Sequence, residues 1–158
     1  MGAGGWMRDT VDPEFASYVD ARQGRWLRTA YLVYGDLERA EEQLLRAFTR
    51  LSLRWDRVDD PDLFVQQLLY RSALSRWSRA KPFDGDEDQV KQALGALSAA
   101  QRAVLVLLHF EELTEFEVSD VLGMSHAAVH SHAQSSLSRF RLELGTGDWR
   151  DVTGREKQ

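Results

Sequence analysis

Apolar residues recur at steps of three and four along most of the chain, the spacing of one face of an α-helix. Between residues 37 and 55, Leu37, Leu44, Phe48, Leu51 and Trp55 share such a face with Glu41. They predict a helix of about five turns. Upstream, Phe15, Val19, Trp26, Ala30 and Val33 mark a first helix, which Gly35 ends before Asp36 caps the next. The stretch "DDPD" at 59–62 supplies an N-cap and a first-turn proline. It predicts a third helix running through Phe64, Leu68 and Trp77. No stretch alternates convincingly with period two, so no strand is expected and the fold class is all-α.

The pattern breaks at residues 80–89, "AKPFDGDEDQ", where a proline, a glycine and a block of acids have the composition of a flexible, self-repelling linker. Beyond it the helical spacing restarts. Ser98 with Gln101, and Thr114 with Glu117, each form a capping box before an apolar run. Gly123 then ends a helix of about two turns, and Ser125 caps a longer one. A short helix, a glycine turn and a longer helix make the helix-turn-helix arrangement. Val118, Leu122, Met124, Val129 and Ala133 lie where its two helices must pack. The expected organisation is a three-helix domain over 1–79, a linker over 80–89, a helix-turn-helix domain over 90–144 and a tail over 145–158.

Charge narrows what such a protein can do alone. The chain of 158 residues carries a net charge of −5, distributed unevenly. Residues 1–82 hold 13 Lys+Arg against 12 Asp+Glu, residues 83–89 contribute −4, and residues 90–144 hold 4 basic against 6 acidic side chains. An acidic chain is repelled by polyanions at long range, so independent DNA binding is expected to be weak and strongly salt-dependent. The absence of cysteine removes disulfides, thiol catalysis and cysteine-ligated metals. No run of about 18 apolar residues exists to span a membrane. The start, "MGAGGWMRD", lacks the build of a signal peptide. A cytoplasmic location is the expectation.

Taken in order, "LRTAYLVYGDLERAEEQLLRAFTRLSLRW", "FVQQLLYRSALSRW", "ALGALSAAQRAVLVLLHFEELTEFEVSDVLGMS" and "AVHSHAQSSLSRFR" resemble an actinobacterial extracytoplasmic-function sigma factor. These are small two-domain initiation subunits of bacterial RNA polymerase. The resemblance implies a region 2-like first domain that engages core polymerase and the promoter −10 element. It implies a region 4-like second domain that reads the −35 element. It implies no cofactor, with RNA polymerase core, promoter DNA and an anti-sigma or other regulatory protein as partners.

The family's polymerase-docking pattern, Asp-x-x-Gln-Glu, is represented here by Glu42, Leu45 and Arg46. One carboxylate survives, lengthened by a methylene; one polar group becomes apolar; one charge is reversed. The −10 face implied by the resemblance comprises Arg57, Gln66, Gln67, Tyr70, Arg71, Arg76 and Arg79. Aromatic and cationic groups mixed in this way suit stacking on opened single-stranded bases. The competing reading makes Trp77 a core residue and the arginines solvated surface. On the −35 side, His126, Ala127, Ala128, Val129, His130 and Ser131 stand where the family commonly has Val-Gly-Thr-Val-Lys-Ser. Ser135 replaces an arginine, and Ser125, Gln134 and Arg139 complete the set. Histidine for lysine and serine for arginine remove most of two counterion-release contacts.

Two other chemistries are open to the same residues. His126 and His130, four apart, could project as a pair of zinc ligands, although nothing places a third. No phosphate loop, nucleophile motif or spaced carboxylate pair suggests an enzyme. Two functional readings therefore stand: a diverged sigma factor directing RNA polymerase to promoters, or a sigma-like regulatory protein acting only through protein contacts.

Overall fold

The computed structural model describes residues 11–75, 83 and 88–145. Among them there are seven α-helices: α1 (Pro13–Tyr34), α2 (Leu37–Ser52), α3 (Pro61–Leu74), α4 (Gln89–Gly95), α5 (Ala99–His109), α6 (Glu115–Leu122) and α7 (His126–Leu144). A 3-10 turn, Trp55–Arg57, lies between α2 and α3. Helices α1–α3 form one lobe and α4–α7 the other.

Local sequence accounts for most helix ends. Asp12, Asp36, Asp60, Asp88, Ser98, Thr114 and Ser125 each accept a backbone N–H of the first turn of the helix they precede. Both expected capping boxes form completely. Gly35 and Gly123 end α1 and α6 in the left-handed conformation, with φ of 75° and 67°. That conformation is costly for residues carrying a Cβ.

Three features depart from the sequence reading. First, α2 stops at Ser52, so Trp55 does not continue its apolar face. The indole instead packs against Phe15 and Tyr18, both at 5.5 Å between ring centroids. Second, Asp88 opens a seven-residue helix, α4, that the pattern did not announce. Third, the lobes are not held apart. Helices α1 and α3 pack on α5, and α3 packs on α6, so one cluster of buried side chains runs through both lobes. Of the predicted linker, Phe83 is buried, edge-on to Tyr31 at 5.3 Å. Among acids this phenyl ring is an anchor. The rest of 80–87, Trp77 and the tail beyond Gly145 lie outside the described residues.

At the junction sits Arg102, 1 % exposed. Its Nε donates to the carbonyl of Leu94 at 3.0 Å and its Nη1 to the carbonyl of Val33 at 3.2 Å. The guanidinium lies 5.3 Å from the centre of the Phe83 ring. Burial pushes its pKa down to about 10, which leaves it charged at neutral pH. One side chain thus ties the C-terminal ends of α1 and α4 and the linker residue Phe83 together. Replacing it removes charge-assisted hydrogen bonds and leaves a cavity. Arg102→Ala is expected to cost about 3 kcal/mol, measured as a shift of the urea midpoint. Arg102→Met, which restores most of the volume, is expected to lose less.

Candidate nucleic-acid interface

The helix-turn-helix is built by α6 and α7. Gly123 turns the chain, its N–H bonding to the Ser119 carbonyl at 2.9 Å. The Ser119 hydroxyl donates to the Met124 carbonyl at 2.6 Å. Val118, Leu122 and Val129 are buried between the helices, with Met124 and Ala133 partly buried against them. The Ser125 hydroxyl accepts from Ala128 N–H at 3.1 Å, so α7 begins with a capped, solvent-facing N-terminus.

The residues assigned to −35 reading line up on that helix. Ser125, His126, Ala127, His130, Ser131, Gln134, Ser135 and Arg139 are exposed and Ala128 is half-buried. Several already have neighbours. The His130 ring nitrogen lies 3.1 Å from a Glu115 carboxylate oxygen. The His126 ring rests on Phe116 at 4.2 Å. Gln101 donates to the Ser135 hydroxyl at 3.2 Å. The histidines therefore face the first helix of the motif rather than one another, and among the described residues no three His, Cys, Asp or Glu side chains gather as a metal site.

The residues assigned to the −10 element are arranged differently. Gln66 and Tyr70 are buried, at 8 % and 1 % exposure. Burial and the Glu111 carboxylate together push the Tyr70 phenol pKa upward. Gln67 donates to the Asp120 carbonyl at 3.1 Å. Arg71 donates to the Val121 carbonyl at 2.9 Å and to the Asp120 carbonyl at 3.1 Å. Arg57 is exposed in the 3-10 turn. Arg76 and Arg79 lie outside the described residues. The loop before α3 is occupied by its own chain: Asp62 accepts from Tyr18 Oη at 2.7 Å and from Arg22 Nε at 3.1 Å, and Trp55 is covered as described above.

The residues assigned to polymerase docking face outward from α2. Glu42 and Arg46 form a loose i,i+4 pair at 4.0 Å. Leu45, 69 % exposed, stands at the edge of a groove of about 420 Å³ that Leu27, Leu44 and Phe48 also line. Two contacts important to this arrangement escaped the sequence reading. Glu111 has a fully buried side chain, bonded through Oε2 to Arg25 of the other lobe at 2.9 Å. Gly123 lies so close to Arg71 that a Cβ there would meet its guanidinium at 3.2 Å. An acid following the apolar run of α5 was the available sign of the first; no signal marked the second contact.

A two-lobed helical chain carrying a capped helix-turn-helix defines a DNA-binding class, and comparison with known proteins specifies it. Residues 87–139 match the family model described as Sigma-70, region 4. The chain is 30 % identical to an RNA polymerase sigma-E factor of Streptomyces antibioticus, the alignment covering 85 % of this chain and 87 % of that protein. It is 29 % identical to the sigma-E factor of Streptomyces coelicolor, over 85 % and 88 % of the two chains. The fold matches the sigma factor RpoE of Bartonella quintana, solved in complex with the anti-sigma factor NepR. That match has a TM-score of 0.68 at 15 % identity and covers 84 % of this chain and 98 % of the other. The chain belongs to the RNA polymerase sigma factors, and directs the polymerase to promoters. The reading as a sigma-like protein that has lost promoter recognition is not favoured. No helix among the described residues is long and apolar enough to cross a membrane.

Gly123→Ala places a Cβ in a left-handed turn and against Arg71. It is expected to lower stability by about 1–2 kcal/mol, read from thermal unfolding followed by circular dichroism.

Proposed function

We propose that the two lobes divide promoter recognition between them, with residues 1–79 forming the region 2-like domain and 90–144 the region 4-like domain. Helix α7 lies in the −35 major groove, presenting Ser125, His126, Ala127, Ala128, His130, Ser131, Gln134, Ser135 and Arg139. Gln66, Gln67, Tyr70 and Arg71 of α3, together with Arg57, Arg76 and Arg79, are assigned to the −10 strand, which the buried Gln66 and Tyr70 can touch only after the packing over them changes. Glu42, Leu45 and Arg46 meet the polymerase. The observation that supports this most directly is the exposed row on α7 behind the Ser125 cap. It has polar groups within reach of base edges and, until Arg139, no lysine or arginine.

Specificity on such a helix rests on hydrogen bonds from Ser131 and Gln134 and on methyl contacts from Ala127 and Ala128. Polymerase therefore supplies most of the affinity, and the reaction is the polymerase's own; no catalytic step belongs to this chain. An anti-sigma protein is a further proposed partner, and the cytoplasm the proposed site of action.

The direct test is run-off transcription from genomic DNA of the native host with core polymerase, with and without the chain. A discrete set of chain-dependent transcripts is expected, and their absence rejects the reading. Two variants test the assignments. His130→Lys adds one phosphate contact. It is expected to raise duplex affinity about tenfold and to steepen the slope of log K against log salt by about one. Leu45→Asp places a charge on the apolar groove and is expected to weaken core-polymerase binding at least tenfold, measured by fluorescence titration.

A further inference from the structure

On α7, His130 and Ser135 each bond to a residue of another helix, and those bonds settle where their hydrogens lie. The His130 Nδ1 is 3.2 and 3.1 Å from the two carboxylate oxygens of Glu115. A carboxylate oxygen accepts and cannot donate, so the proton between them belongs to Nδ1. A neutral imidazole has one N–H, which leaves Nε2 as a bare lone pair. No bond to Nε2 is made among the described residues. Glu115 is itself held in place. It is the first residue of α6, directly after the Thr114 cap, and the capping box of Thr114 with Glu117 fixes that turn.

Ser135 reaches the same state by another route. In the capping box of α5, Gln101 Oε1 accepts the Ser98 N–H at 3.1 Å, so the amino end of that side chain points away and donates to Ser135 Oγ at 3.2 Å. The Ser135 hydroxyl hydrogen is directed at the His132 carbonyl, 3.3 Å away. What remains on Oγ is a lone pair. With about 100° of turn per residue, His130 and Ser135 flank the strip formed by Ala127, Ser131 and Gln134. Lysine and arginine at the two edges of such a face would only donate. Here both edges only accept.

We propose that Glu115 is a specificity-determining positioning residue: by holding the Nδ1 proton, it makes His130 read an exocyclic amino group, cytosine N4 or adenine N6, on the strand it faces. This rests on the reading that α7 lies in the −35 major groove. Each base pair shows there one amino group and one keto oxygen, on opposite strands. An acceptor at a fixed place therefore divides the bases of one strand into cytosine or adenine, which it bonds, and guanine or thymine, whose O6 or O4 it opposes. A lysine at the same place selects the reverse set. The half-exposed Glu115 carboxylate also repels phosphates, so the pair supplies discrimination and no grip. Glu115 needs no contact with DNA to do this; it acts through the ring it orients.

Two measurements test it. The first is the tautomer of His130 in the full-length chain, read from its ring nitrogen shifts by proton–nitrogen correlation spectroscopy at about pH 8, above the range in which imidazoles ordinarily charge. A protonated Nδ1 and a bare Nε2 are expected, and Glu115→Ala is expected to move the proton toward Nε2 with the helical circular dichroism unchanged. A native ring protonated on Nε2 overturns the proposal. In the second, holoenzyme assembled from core polymerase and the full chain selects from promoters found by run-off transcription, with their −35 element randomised. At one position cytosine or adenine is expected to exceed guanine or thymine about fivefold or more, and Glu115→Ala or His130→Ala to bring that ratio within about twofold of even. Glu115→Gln, which keeps an acceptor oxygen, is expected to fall between. A position that His130→Ala alters but that favours guanine or thymine, or that Glu115→Ala leaves unchanged, overturns the proposal. Selection that His130→Ala alters nowhere rejects the placement of His130 in the groove, and the proposal with it. Failure of the holoenzyme to select any sequence rejects promoter direction itself, while the nitrogen shifts still decide whether Glu115 fixes the ring.

Discussion

Much of this molecule depends on a guanidinium held where water does not reach. Arg102 bonds to carbonyls from both lobes and lies against Phe83. An apolar side chain at that position would fill volume but remove a donor from the Val33 carbonyl and leave the Leu94 carbonyl with the Leu97 N–H. The arginine satisfies both and remains charged despite its burial. Its location fixes how α1 meets α5. In the same interface α3 packs on both α5 and α6.

Elements governed by neighbours in sequence were legible, because capping, glycine turns and apolar spacing act over one helical turn. Ser98 with Gln101, Thr114 with Glu117, Gly123 and Ser125 all behave as their local chemistry requires. The helix-turn-helix core followed from the same rules. Contacts between lobes were not legible, since Arg25 looks like an ordinary surface residue, and Gln67 and Arg71 like nucleic-acid contacts, until a partner more than forty residues away is known. Trp55 was assigned to α2 because its spacing fits; the competing attraction of Phe15 and Tyr18 comes from outside the helix. Phe83 was read as part of a tether because acids surround it. Arg102 carried the clearest unused signal, a cation inside the run "AAQRAVLVLLH". A charge at that point in an otherwise apolar helix points to a buried, bonded role.

The residues of α7 illustrate how a DNA-reading helix can be retained with little charge of its own. Its N-terminal cap and buried seam hold the geometry, while His126 and His130 are turned toward Phe116 and Glu115. Such a helix discriminates between sequences only when something else holds it near the groove. Weak binding alone and selective binding in a complex are then two aspects of the same design. The acidic balance of this lobe opposes non-specific attraction to DNA.

The buried carboxylate of Glu111 has a further consequence. One oxygen is bonded to Arg25, while Oε1, like the indole nitrogen of Trp26, has no partner among the described residues. Desolvated polar atoms left unbonded oppose the packing that encloses them. Water entering the seam would hydrate both at once. The packing of the two lobes is therefore weaker than its apolar contacts alone would make it.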